Sequence, residues 1–262
     1  MVMNRRSFAQ SVGGAALLST LAGEAQPQNS AQKTRIYRME YLYYRQGSQG
    51  NRINEFLSSQ MPLFVRNTSA MGVFTSVLGP HSPLTIVLSG YMSLEHMEDS
   101  DLRIGNHPEF KAAVEKFESG DDPPCDRADR VLLRATDFSP EIVLLKEKPK
   151  TARTFELRIY HSPTRRQLQI LHDRFAGPEI GIFHRCGIFP ILYADTLIGP
   201  SVPSMAYLMP FENLAAREKA WDAFGADPEW LKAREESVRR GGQVVADNNI
   251  TFLKPTPYSP IQ

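Results

Sequence analysis

Cysteine is nearly absent, with two residues in 262, Cys125 and Cys186. No Cys-x-x-Cys occurs, and two thiols cannot build a metal cluster. A glycine-rich phosphate loop is missing as well. Gly13-Gly14 lies in an apolar N-terminal segment, and Gly241-Gly242 follows Arg239-Arg240 as a helix stop. The six histidines are His81, His96, His107, His161, His172 and His184. They contain no His-Glu-x-x-His arrangement, which leaves zinc hydrolysis unsupported. Charge of one sign is also lacking, with 30 basic and 29 acidic residues. Such a balance offers no electrostatic footprint for nucleic acid or an anionic membrane.

Long apolar runs are absent too. The most apolar N-terminal stretch, residues 12–21, is too short to span a bilayer, so the mature chain is expected to have no transmembrane segment. With Arg5-Arg6 before it and Gly23-Glu24-Ala25 after it, it reads as a cleavable signal over residues 1–25. Asn4-Arg5-Arg6-Ser7-Phe8 resembles a twin-arginine signal, which predicts export and a periplasmic location. Removing Arg5, Arg6 and Glu24 leaves 28 basic and 28 acidic residues. Export permits a Cys125–Cys186 disulfide; two free, partly buried thiols are the alternative. Residues 26–33 are polar and read as a linker.

What the sequence does contain is alternation. Thr154-Phe-Glu-Leu-Arg-Ile-Tyr160 repeats with period two and predicts a half-buried strand. Phe155, Leu157 and Ile159 share one face, and Glu156, Arg158 and Tyr160 the other. A weaker copy, Arg38-Met-Glu-Tyr-Leu-Tyr-Tyr44, lies upstream. Helical spacing over 52–65 breaks near Pro62, and Gly177-Pro178 interrupts a second helix that Ser162-Pro163 opens. Ser93 and Asn213 read as N-caps. His107-Pro108 and Asp227-Pro228 open further helices.

The two halves match at a fixed distance. Gly79-Pro80 and Gly199-Pro200, Tyr91 and Phe211, Leu94 and Leu214, Pro108-Glu109-Phe110 and Pro228-Glu229-Trp230, and Phe138-Ser139-Pro140 and Tyr258-Ser259-Pro260 all lie 120 residues apart. Aligning Glu40 with Glu156 gives 116 for the first strands and puts four extra residues in the second half. Each half reads β-α-β-β-α-α-β, the ferredoxin-like order with an added helix. The expected fold is α+β, with two tandem ferredoxin-like domains forming an intramolecular pseudo-dimer. The first repeat covers 34–145, a charged linker 146–152, and the second repeat 153–260. Two sheets packed through their bare faces would hide them. On this reading Glu156, Arg158 and Tyr160 point between the sheets, and Phe155, Leu157 and Ile159 meet the helices. Pairing between two chains, a homodimer, is the alternative.

The run from Tyr207-Leu-Met-Pro-Phe-Glu-Asn213 through Leu214-Ala-Ala-Arg217-Glu218, Trp221, Phe224 and Asp227-Pro-Glu-Trp230 resembles the NIPSNAP family. The strand 155–160 is similar to that family's opening strand. The resemblance covers about 100 residues of the second half. In the first half Leu42 is aligned with Arg158, and Phe110 with Trp230. The resemblance implies a dimeric α/β-barrel. That wider group includes small monooxygenases, haem-handling enzymes and stress proteins. The resemblance itself implies little about activity, and a cofactor-independent monooxygenase or isomerase-like enzyme, or a haem-handling protein, is the alternative to a ligand-binding protein by analogy of fold.

Four residues are candidates for holding a ligand: Glu156, Arg158, Tyr160 and His172. Arg158 could hold a carboxylate or enolate, and Tyr160 could donate to an oxyanion. The structural alternative is an Arg158–Glu156 ion pair. His172 borders a helical apolar stripe and could ligate haem or act as a base; otherwise it is a packing histidine. No cofactor is predicted beyond that haem alternative. Arg217 is expected to pair or to stack on Trp221 or Trp230. His184 and Cys186 invite a nucleophile reading, but as i and i+2 they would diverge. The expected partner is a small molecule or a protein, not nucleic acid.

Overall fold

In the computed structural model, residues 33–45 and 47–262 are described. The expected export signal and most of the linker after it lie outside those residues. The first half comprises β1 (Ile36–Tyr43), α1 (Ser48–Asn67), β2 (Ala70–Leu78), β3 (Leu84–Tyr91), α2 (Leu94–Asn106), α3 (Pro108–Glu118) and β4 (Arg127–Ala135). The second begins with β5 (Thr154–His161) and α4 (Arg165–Arg174), followed by a π-helical turn (Phe175–Glu179). It continues with α5 (Ile180–Arg185), β6 (Leu192–Ile198), β7 (Ser204–Phe211), α6 (Leu214–Ala226), α7 (Pro228–Gly241) and β8 (Asp247–Pro255).

The eight strands close into one antiparallel barrel in the order β1-β3-β2-β8-β5-β7-β6-β4. The seams β2–β8 and β4–β6 join the halves, so the two expected domains share one sheet and one interior. Eight strands enclose a space that side chains can fill. Tyr37, Met39, Phe74, Leu133, Phe155, Leu157, Leu192, Leu208 and Leu253 fill it, with Phe74 and Phe155 5.0 Å apart.

This corrects the expected facing of β5. Its apolar residues fill the barrel, and Glu156, Arg158 and Tyr160 turn outward beneath the helices. The physical reason is solvation. A dry barrel interior holds nothing to compensate a carboxylate or guanidinium, whereas α6 supplies Arg217 and Trp221.

The pairing register corrects the alignment of the halves too. Arg38 faces Ser89 on β3, and Glu156 faces Met209 on β7. Ser89 and Met209 are 120 apart, so Glu156 occupies the place of Arg38, 118 residues earlier. Arg158 therefore corresponds to Glu40 and not to Leu42, and the second half carries two extra residues before β6, not four. A shift of two preserves the face, which is why alternation could not detect it.

Local chemistry explains most helix ends. The Ser93, Asn213 and Asp227 side chains accept backbone N–H groups of α2, α6 and α7. Thr164, not Ser162, caps α4. The buried Ser162 hydroxyl donates instead to the Val244 carbonyl at 2.7 Å. Pro62 does not break α1, whose buried Ile53, Leu57 and Met61 hold it to the sheet. Gly177-Pro178 does perturb its helix: Gly177 leaves helical geometry within the π-turn. Cys125 and Cys186 are both free thiols. Among the described residues no helix is long and apolar enough to cross a membrane.

The segments after β4 and β8 cross over reciprocally. Ser139 Oγ accepts the Tyr193 N–H at 3.1 Å, and Ser259 Oγ accepts the Val73 N–H at 2.9 Å. Thr136 and Thr256 donate their N–H groups to the carbonyls of the same two residues. Each half thus fastens its tail to the other.

Candidate functional site

The outward face of β5 lies under α4–α7. Glu156 is completely buried. Its Oε1 accepts from Arg158 Nε and, at 3.3 Å, from Arg217 Nη2. Its Oε2 accepts from Arg217 Nε at 2.7 Å and Trp221 Nε1 at 3.1 Å. Burial would raise the Glu156 pKa, but the hydrogen bonds and charges of Arg217 and Arg158 together hold it below the ordinary carboxylate range. The guanidinium of Arg158 stacks 3.6 Å from the Trp221 ring and donates through Nη1 to Tyr160 Oη at 3.2 Å. Burial works against its charge, yet Tyr207, Tyr160 and Glu156 hold its pKa above the ordinary value. Three of the four candidates, Glu156, Arg158 and Tyr160, are therefore brought together.

The fourth, His172, stands at the margin. Its Nε2 lies 2.8 Å from Asp195 Oδ1, and its ring meets Phe138 edge-on at 5.6 Å. A haem does not fit there. The nitrogen that would bind iron is engaged, and Phe175, Phe183, Tyr193 and Tyr207 fill the layer beside it, each at most 1 % exposed. Among the described residues, His, Cys, Asp and Glu form no group able to hold a metal ion. His184 stacks on Phe189. Arg217 pairs with Glu156, and Trp221 and Trp230 each lie against a buried arginine.

Four further residues complete the layer. Arg174 donates to Glu179 at 2.7 Å and to Ser237 at 3.1 Å, and its guanidinium lies 4.9 Å from the Trp230 ring. Burial pushes the Glu179 pKa up, and Arg174 and Arg158 offset only part of that. Tyr207 stands directly opposite Arg158 on the neighbouring strand, and Tyr193 directly opposite Tyr207. Arg158, Tyr207 and Tyr193 thus form one row across three strands. Both phenol hydroxyls are buried and make no hydrogen bond of ordinary geometry among the described residues, although that of Tyr207 lies close to the Tyr160 hydroxyl. Burial raises both phenol pKa values; for Tyr193 the Glu179 charge adds to it, for Tyr207 chiefly Tyr160.

The corresponding row of the first half reads Glu40, Val87 and Val73. There Val73 and Val87 belong to an apolar cluster, and Glu40 pairs with the exposed Arg130 at the surface. The offset of 120 already linked positions 73 with 193 and 87 with 207. Two valines facing two tyrosines was the signal in the sequence that motif reading passed over.

The chain superimposes over 85% of its length on 94% of a candidate monooxygenase from Lactobacillus acidophilus NCFM, at 12% identity and a TM-score of 0.53. An anthrone oxidase-like protein aligns over 86% of this chain and 92% of its own, at 12% identity and a TM-score of 0.52. At such identities these likenesses show the fold alone. A NIPSNAP-like domain protein from Burkholderia xenovorans is 26% identical over 41% of this chain and 89% of its own, with a TM-score of 0.36. Among curated proteins no sequence matches. Residues 155–260 match the model of the NIPSNAP family, and the buried charges and tyrosines described above all lie within that matched segment.

Proposed function

We propose that this chain binds a small molecule in the helix–sheet layer of its second half, and that its two halves are an intramolecular pseudo-dimer in which the first serves as scaffold. The observation that carries this reading is the difference between corresponding rows: Glu40, Val87 and Val73 against Arg158, Tyr207 and Tyr193. At this row the first half places two valines where the second buries two hydroxyls without partners, at about 1–3 kcal/mol each. Uncompensated groups of this kind gather where a ligand completes them.

The protein carries its own probe. Its two tryptophans, Trp221 and Trp230, lie against Arg158 and Arg174. Titration with a panel of small aromatic compounds should change their emission saturably, and Arg158→Met should abolish the change while the fold is retained. Saturable binding that survives Arg158→Met would place the site elsewhere.

A second reading is an enzyme of the cofactor-independent monooxygenase or isomerase type. Unpartnered donors beside a guanidinium favour it, because such donors stabilise developing oxyanions. The likeness to a candidate monooxygenase and an anthrone oxidase-like protein is consistent with it. Oxygen uptake with the compounds that bind, lost in Tyr207→Phe, separates the enzyme from the binding protein. For location we propose export, supported by Arg5-Arg6 and the short apolar stretch after it.

A further inference from the structure

We infer that the cleft where the linker between the halves passes the base of the barrel binds a small organic anion, held by Arg153 and Lys150. The base is the end at which β5 begins and β7 ends. This is a second site, separate from the layer beneath α4–α7, and it stands or falls independently of the ligand proposed there. Four observations support it.

The first is space. A cleft of about 370 Å³ opens between Pro149 and Lys150 of the linker, Arg153 beside the first residue of β5, and Pro210, Phe211 and Glu212 at the end of β7. Small-molecule sites occupy about 300–1,000 Å³. The Lys148 ammonium donates to the Pro257 carbonyl at 2.5 Å and so ties the linker to the crossed tail after β8.

The second is an arginine without a counter-ion. Arg153 Nε is buried and has no hydrogen-bond partner among the described residues. The guanidinium lies instead 5.3 Å from the ring of Phe155, which fills the barrel. Burial acts on its charge with no carboxylate set against it, and holds its pKa below the ordinary arginine value. A carboxylate or phosphate is the partner that completes such a group.

The third is the lining. Lys150 and Arg153 stand against one carboxylate, the exposed Glu212, so the cleft keeps one positive charge in excess. Pro149, Pro210 and Phe211 supply apolar wall. An anionic oxygen group on a short apolar body matches both sides. The fourth is the first half. The register equates Arg153 with Arg35 and Pro210 with Gly90. Arg35 is exposed, and a Cβ on Gly90 would meet Ala70 and Thr34 at 2.9 Å and Tyr37 at 3.1 Å. That corner is filled. The same barrel geometry therefore closes without a cleft, and the second half opens one and lines it with an arginine.

A carboxylate and a phosphate offer the same chemistry here, so both are tested. The whole protein is titrated calorimetrically at neutral pH with benzoate, phenyl phosphate and the uncharged benzyl alcohol. The better anion should bind about tenfold tighter than benzyl alcohol, and the tighter of the two identifies the group the cleft prefers. Arg153→Met keeps an apolar contact for Phe155 and removes the charge. It should weaken anion binding about tenfold and leave the melting temperature unchanged or higher, because an unpaired, half-buried charge is lost. Lys150→Ala alters an exposed linker side chain and should weaken anion binding about threefold with the fold intact. Arg158→Met, which disables the layer beneath α4–α7, should leave anion binding as it is. A merely structural Arg153 predicts the opposite: a lower melting temperature with anion binding unchanged. No binding of either anion, equal binding of anions and benzyl alcohol, or anion binding undiminished in Arg153→Met overturns the inference. Should Arg153→Met fail to fold, undiminished binding in Lys150→Ala overturns it. Anion binding lost in Arg158→Met alone also overturns it and leaves the other site standing.

Discussion

Glu156→Ala is the most informative single perturbation for stability. The carboxylate accepts from Arg158, twice from Arg217 and from Trp221, and is wholly shielded from water. Removing it leaves the largely buried Arg158 without its counter-ion and Arg217 with only the exposed Glu218. Breaking a buried pair on one side costs about 3–5 kcal/mol, because the surviving charge stays desolvated. For a fold of this size each kcal/mol moves the melting temperature by roughly 2–4 °C, so a fall of about 6–20 °C is expected. Glu156→Gln keeps one acceptor oxygen and should lose about 2 kcal/mol. Adding Arg158→Met and Arg217→Met to Glu156→Ala should recover part of the loss, since the stranded charges go with them.

The same carboxylate sets a pH signature. Its folded pKa is depressed, so its contribution is complete above the unfolded value of about 4.3 and disappears as pH falls through the folded value. The stability gap between the parent protein and Glu156→Gln, measured by urea denaturation, should be flat above about pH 5 and close in more acidic solution. A Glu156→Ala loss below about 1 kcal/mol would refute the reasoning, for that is how an exposed, solvated pair behaves.

Three further outcomes are expected. Glu179 has a raised folded pKa, so its native form holds a proton more readily than the unfolded chain. Stability should fall as pH rises from about 4 through that folded value, and Glu179→Gln should remove this slope from urea midpoints. Ser139→Ala and Ser259→Ala each strip the acceptor from a strand N–H in the other half, Tyr193 or Val73. Each should cost about 1–3 kcal/mol in urea unfolding, and neither should cost anything measurable if the crossed tails are decoration. Arg5→Lys with Arg6→Lys should leave the protein in the cytoplasmic fraction of a bacterial host, and unchanged periplasmic recovery would rule out the twin-arginine route.

The order of strands and helices was legible because periodicity and capping are local: Ser93, Asn213 and Asp227 announce their helices without reference to anything distant. The facing of β5 was not legible from its own alternation. Phe155 and Glu156 alternate the same way whether the barrel or the helix layer takes the charge, and the decision belongs to Arg217 and Trp221, some 60 residues on. Anchoring the comparison on the shared Glu40 and Glu156 misaligned the first strands by two, because identity outweighed register. Once hydrogen-bonded pairs set the register, the charges are exchanged between the halves, Arg38 and Glu40 against Glu156 and Arg158. Only the second-half pair is sealed from solvent. Sealing requires large apolar cover, and Trp221 stands where the first half has Asp101, whose carboxylate instead reaches Arg38 at the surface. One half therefore solves its charge problem with water and the other with a tryptophan lid and a second arginine. The buried charges of the second half thus lie beside the two tyrosines that stand in place of Val73 and Val87.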